Sequence, residues 1–156
     1  MALLSHCVPP VGYVDALTQE LCRMTQEKDG KSRPKIAPWA YVLAVRDIDL
    51  SAKYFCEALG FVIEWPNATD WRLVRRDSVR IMLGNCPNAA PAADIGPHGW
   101  FAYLDTDSVD KLHADLVANG AIVLQSPIDR TYGMRELVVA TPDGHRIVFG
   151  QEIAKC

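Results

Sequence analysis

"RIVFG", residues 146–150, closes the last apolar run of the chain, and "RIMLG", residues 80–84, is nearly the same string. Each copy follows a tight polar turn, "TPDG" before the second and Asp77-Ser78 before the first, and each turn follows another strand-like run. "DWRLVRR" (70–76) with "VRIMLG" (79–84), and "MRELVVA" (134–140) with "HRIVFG" (145–150), therefore both predict hairpins.

The resemblance extends upstream. "WAYVLAVRD" (39–47) and "WFAYLDT" (100–106) are rich in β-branched and aromatic residues and predict strands. A helix is expected over about 50–59, capped by Asp47 or Asp49, and another over 109–119, with Val109, Leu112, Leu116 and Val117 on one side. "ALGFVI" and "ANGAIV" end these helices alike, with Gly60 and Gly120 placed for a left-handed C′ residue, and "FVIEW" (61–65) and "AIVLQ" (121–125) are the strands that follow. Each half thus predicts strand–helix–strand–strand–strand, and repetition at this scale marks one supersecondary unit used twice. The expected fold is α+β: two tandem βαβββ modules forming a cupped mixed sheet, at 38–85 and 100–156, joined by the Pro-rich connector 86–99. Residues 1–37 are expected to form an N-terminal helical extension and linker, since Val11, Val14, Leu17, Leu21 and Met24 have the spacing of one helix face over 11–28 before "KDGKSRPKIAP" breaks it.

Composition narrows the function. No apolar run is long enough to span a bilayer, and the N-terminus lacks the basic start and uninterrupted apolar stretch of a signal peptide, which predicts a cytoplasmic protein. Five scattered cysteines without a CxxC pair argue against a disulfide framework or structural zinc. The net charge of −3, with no basic stripe, argues against nucleic acid and membrane partners.

"VRDIDLSAKYFCEALGF" (45–61) and "YGMRELVVATPDGHRIVFG" (132–150), in this order and on a repeated unit, resemble the vicinal oxygen chelate superfamily of glyoxalase I, bleomycin resistance proteins and extradiol dioxygenases. "YGMREL" is closest to the bleomycin-resistance branch, and Thr141 stands where that family usually has the first acid of Asp-Pro-Asp-Gly. The resemblance implies homodimers and a small-molecule cavity between modules. It also implies four metal-ligand positions, which fall on Ala40, Met82, Phe101 and Val148. Hard divalent ions want carboxylate or imidazole donors, so no metal and no other cofactor is expected, and metal-dependent glyoxalase or dioxygenase chemistry is disfavoured. His98 lies three residues before the aligned Phe101 and is expected to be a solvated loop residue.

If the aligned positions face the cavity, alternation along each strand brings in their neighbours at spacing two. The expected ligand-binding set is Arg80, Met82, Trp100, Phe101, Tyr103, Asp105, Glu136, Arg146 and Val148, with Trp100 and Tyr132 able to stack on a flat ligand. Val42, Val138 and Val148 can equally fill the interior. Arg80 and Arg146 occupy equivalent positions and are either a structural device duplicated with the unit or a site for a carboxylate or phosphate. Glu136 is the best candidate catalytic group, with Asp105 beside Tyr103 as the alternative: unpaired, the Glu136 pKa would rise and it could act as a general base; otherwise it pairs with Arg135, Arg146 or an arginine of a second chain. Three functions remain open: metal-free binding of a small organic molecule, as in antibiotic sequestration; a metal-independent lyase or isomerase using Glu136; or a structural or regulatory dimer.

Overall fold

Strand β1, Tyr41–Val45, opens the first module with Leu43 and Val45 buried and Val42 exposed, the period-2 pattern of a sheet packed on one face. The computed structural model describes residues 34–153; the helix expected over 11–28 lies outside them. Asp47 ends β1 and starts α1, Ile48–Glu57, by accepting a hydrogen bond from Leu50 N at 2.9 Å. Ile48, Ser51, Ala52 and Phe55 form the buried stripe of α1. Gly60, at φ +71°, turns the chain out of the helix, as its position predicted. The short β2, Val62–Ile63, then leads to the hairpin of β3, Trp71–Arg76, and β4, Val79–Asn85, turned through Asp77 at φ 52°.

The second module repeats the order. A 3-10 segment, Ala92–His98, interrupts the connector. Strand β5, Trp100–Asp105, is followed by α2, Val109–Ala118, capped by Ser108. Then come β6, Ile122–Asp129, β7, Met134–Ala140, and β8, Arg146–Glu152. The sheet orders are β1-β4-β3-β2 and β5-β8-β7-β6, with the first strand of each parallel to the last and the other neighbours antiparallel. The chain is thus an α+β protein of two tandem βαβββ modules.

Strand β6 runs four residues beyond the expected 121–125, through Pro127. As the outer strand of its sheet it has a free edge, where a missing N–H is tolerated, and its pairing with β7 shifts register twice.

One core joins the modules. Leu43, Phe55, Phe61 and Ile81 of the first meet Leu104, Leu116, Leu137 and Phe149 of the second. The Tyr54 hydroxyl of α1 donates to Ala140 O and accepts from Ile122 N, both at 2.8 Å, tying the first helix to the second sheet. The core uses the helix-bearing faces, so the opposite face of each sheet is left without a helix. Val42, Trp71, Trp100 and Tyr103 are exposed there.

Candidate functional site

The glycines that end the two repeated strings each make room for an aromatic ring. A Cβ on Gly84 would lie 2.8 Å from Trp71 of the neighbouring strand, and one on Gly150 would lie 2.6 Å from Tyr103 Cζ and collide with its hydroxyl. In the second module this clearance lets the Tyr103 ring cross β8 and donate to Glu136 Oε1 at 3.0 Å.

Glu136 is 4% exposed on β7, and a carboxylate so buried needs partners. Tyr132 donates to the same Oε1 at 2.6 Å, and Arg130 Nε donates to Oε2 at 2.8 Å. Burial alone would raise the Glu136 pKa; the bonds from Tyr132, Arg130 and Tyr103 outweigh it and hold the carboxyl below its ordinary value. Burial, reinforced by the bonds to Glu136, raises the pKa of both tyrosines, which stay protonated donors. Arg130 Nη2 also donates to Gln125 Oε1 at 3.0 Å, and Gln125 Nε2 is buried without a partner.

These residues enclose an open concavity of about 510 Å³ on the helix-free face of the second sheet. Trp100 and Tyr103 of β5 form one wall, Arg130 and Tyr132 of the β6–β7 loop another, and Val148 and Glu136 lie beneath. Its lining is therefore largely aromatic, with one ion pair.

Five of the expected ligand-binding residues, Trp100, Phe101, Tyr103, Glu136 and Val148, thus line one concavity. Arg146 stands beside them, its guanidinium 5.5 Å from the Trp100 ring centroid. Phe101 falls at a register shift between Trp100 and Ala102, and this bulge turns its ring to Tyr41, at 5.9 Å, and His145, at 6.3 Å. Asp105 lines a separate recess of about 70 Å³ with Phe61, Arg76 and Leu112. Arg80 and Met82 lie on β4, in the other sheet, and do not line the concavity. The concavity belongs to one module rather than lying between two, because the modules meet through their helix-bearing faces.

Glu136 is paired, as the second of its two expected readings has it, but with Arg130. That partner was missed because it lies six residues upstream, on the far side of the loop before β7. The signal that could have found it is the apolar setting of Glu136, which requires a cation within reach of the same hairpin. Gln125 was missed for the same reason.

Ala40, Met82, Phe101 and Val148, the four positions at which the family resemblance implied metal ligands, offer no oxygen or imidazole donor. Among the described residues no three His, Cys, Asp or Glu side chains cluster as a metal site would require. His98 is exposed at the end of the 3-10 segment. His145 is partly buried, with Nδ1 3.2 Å from Thr141 Oγ1. The residues present do not fit a divalent metal.

The fold matches one class of protein. The Glyoxalase/Bleomycin resistance protein/Dioxygenase superfamily model matches residues 38–149, and the chain belongs to that superfamily. No curated protein sequence matches it. Among solved structures it is similar to a bleomycin resistance determinant encoded on the transposon Tn5, at 18% identity and a TM-score of 0.60 over 78% of this chain and 100% of that one. A glyoxalase/bleomycin resistance protein/dioxygenase from Nocardioides aligns at 18% identity and TM-score 0.63, over 89% of this chain and 95% of that one. TioX from Micromonospora sp. ML1 aligns at 18% identity and TM-score 0.58, over 77% and 99%. At these identities the likeness is one of fold.

Proposed function

We propose that this protein binds a small, flat organic molecule in the concavity of its second module, with no divalent metal, and acts by holding the molecule rather than transforming it. The observation that carries the reading is the pairing of an open aromatic-walled space of about 510 Å³ with a carboxylate already engaged by three donors. A space of this size with apolar walls and few polar groups suits a small ligand. Glu136, with its depressed pKa and its filled bonds, is a poor base at neutral pH, which speaks against a lyase or isomerase built on it. The bleomycin-resistance likeness makes sequestration of a toxic compound in the cytoplasm the natural setting.

The same reading takes the protein as a homodimer. Val42 is 62% exposed and Trp100 56% exposed on the two helix-free faces, and apolar surface of that extent favours a partner. A second copy laid over these faces would close the open side of the concavity.

Isothermal titration with a panel of fused-ring aromatics, on the wild type and Tyr132→Ala, tests the binding. Removing one stacking wall should weaken a hit by roughly threefold to tenfold. A panel without hits, or an unchanged affinity in Tyr132→Ala, overturns the reading. So does a marked rise in melting temperature with stoichiometric Mn²⁺, Ni²⁺ or Zn²⁺. Sedimentation of the wild type and Val42→Glu tests the dimer, which is refuted by a monomer at micromolar concentration.

A further inference from the structure

The two modules carry the same cation–aromatic pair, and only one of the pairs is neutralised. In the first, Arg80 sits 5.8 Å from the centroid of Trp39, the aromatic residue just before β1. In the second, Arg146 sits 5.5 Å from the centroid of Trp100, at the start of β5. Register explains the match, since Arg80 pairs with Arg75 on β3 and Arg146 with Ala140 on β7, at equivalent places in the two hairpins. Both arginines lie on the helix-free faces, beside the core-facing Ile81 and Ile147.

The counter-ion differs. Glu64, four residues after Gly60, receives Arg75 at 2.8 Å and Arg80 at 3.3 Å. Glu64 stands opposite Leu73; opposite Val138, the matching place in the second hairpin, β6 presents Gln125 beside the bulged Leu124, and neither offers a charge. Arg146 has no ion-pair partner among the described residues, and its equivalent Arg80 does. At the concavity itself Arg130 is cancelled by Glu136, so Arg146 leaves one unmatched positive charge beside the Trp100 wall. The spare hydrogen-bonding capacity nearby is also donor capacity: the Arg146 guanidinium, and the orphaned Gln125 Nε2 next to Arg130.

We infer that the second module is specific for a planar aromatic anion, a ring carboxylate or sulfonate that stacks on Trp100 and sets its charged group on Arg146. The inference rests on the binding reading above and names its ligand class. A guanidinium fixed against a ring is pre-oriented to hold a carboxylate in two parallel bonds. A cationic ligand would meet Arg146 unscreened and find Glu136 already filled.

The test uses three probes on one ring system, 2-naphthoate, 2-naphthalenemethanol and 2-naphthylmethylamine, titrated against the full chain with tryptophan fluorescence as the readout. The acid should bind about tenfold tighter than the alcohol, the amine weakest, and the preference should shrink as salt is added. Arg146→Gln should abolish the preference by bringing the acid's affinity down to the alcohol's, and Arg146→Lys should restore part of it. Arg146→Met, which keeps an unbranched stem beside Trp100 and drops the charge, should also abolish it, and it decides the matter if Arg146→Gln does not fold. Equal affinity for acid and alcohol, or an acid preference that survives Arg146→Gln or Arg146→Met, overturns the inference and leaves the binding reading standing. If none of the three binds, and the wider panel fails too, both fall.

Discussion

Replacing Gly150 by alanine should disturb the concavity through a single methyl group. That methyl would lie 2.6 Å from Tyr103 Cζ, too close for either to stay, and β8 is held on both sides by β5 and β7. The ring is the part that can move, since Tyr103 is 48% exposed. Its departure breaks the bond to Glu136. A hydrogen bond to a charged group is worth about 1.5–3 kcal/mol, toward the lower end here because the freed hydroxyl reaches water. Alanine in a strand recovers about 0.5–1 kcal/mol relative to glycine. The net loss is about 1 kcal/mol, or roughly 4 °C in melting temperature for a domain of this size. Binding of an aromatic probe should fall along with it, because the wall has swung away. A thermal-melt double-mutant cycle with Tyr103→Ala isolates the cause. Without the ring, Gly150→Ala should become neutral or stabilising; if it is equally destabilising in that background, the glycine does not exist to seat the ring.

Glu136→Gln removes one side of a buried pair whose other member, Arg130, is about a third exposed and can rehydrate, so urea denaturation should show a loss of about 2 kcal/mol, below that of a fully buried pair. Tyr54→Phe removes both bonds between α1 and the second sheet; Ala140 is 6% exposed, its carbonyl loses its bond, and the melt should drop by about 1–2 kcal/mol while remaining one transition. Acid should act in two stages. Burial lowers the pKa of His145 from 6.5, so the unfolded chain takes up that proton first and stability falls as pH drops below 6.5 toward the folded value. The Glu136 pKa is lowered from 4.5, so its contribution is complete above 4.5 and is lost as pH falls through the folded value. His145→Asn should remove the upper stage from a pH series of melts and leave the lower, whereas an unchanged upper stage would assign it to another group.

Local signals made the repeat legible. Asp47 caps α1 because a short acceptor side chain before an apolar helical stripe has little else to do there. Gly60 and Gly120 adopt positive φ, and Asp77 turns the first hairpin, because each sits where an ordinary residue would be strained. The site was legible only in part. Alternation along β5, β7 and β8 brought Trp100, Tyr103, Glu136 and Val148 to one face, as strand geometry requires. Phe101 reaches the concavity too, but a one-residue bulge, which leaves no mark in composition, sets its ring against Tyr41 and His145. It joined Arg80 and Met82 to the wrong set, because periodicity within strands says nothing about which sheet faces meet. That choice was made by Tyr54, Phe61 and Leu104, whose packing turns the helical faces inward.

The shared core has a bearing on ancestry. A lone βαβββ unit would hold Leu43, Phe55, Phe61 and Ile81 against water on its helical side, and a unit of that size has too little interior of its own to be stable. An ancestor encoding a single unit could therefore persist only by pairing with its own copy across those faces. The seam now crossed by Tyr54 is the face across which two separate units would have to pair. Within a single chain the halves are free of symmetry: a change in one does not force the same change in the other. The halves use that freedom at their paired arginines: Glu64 holds Arg80, while Arg146 meets no acid among the described residues.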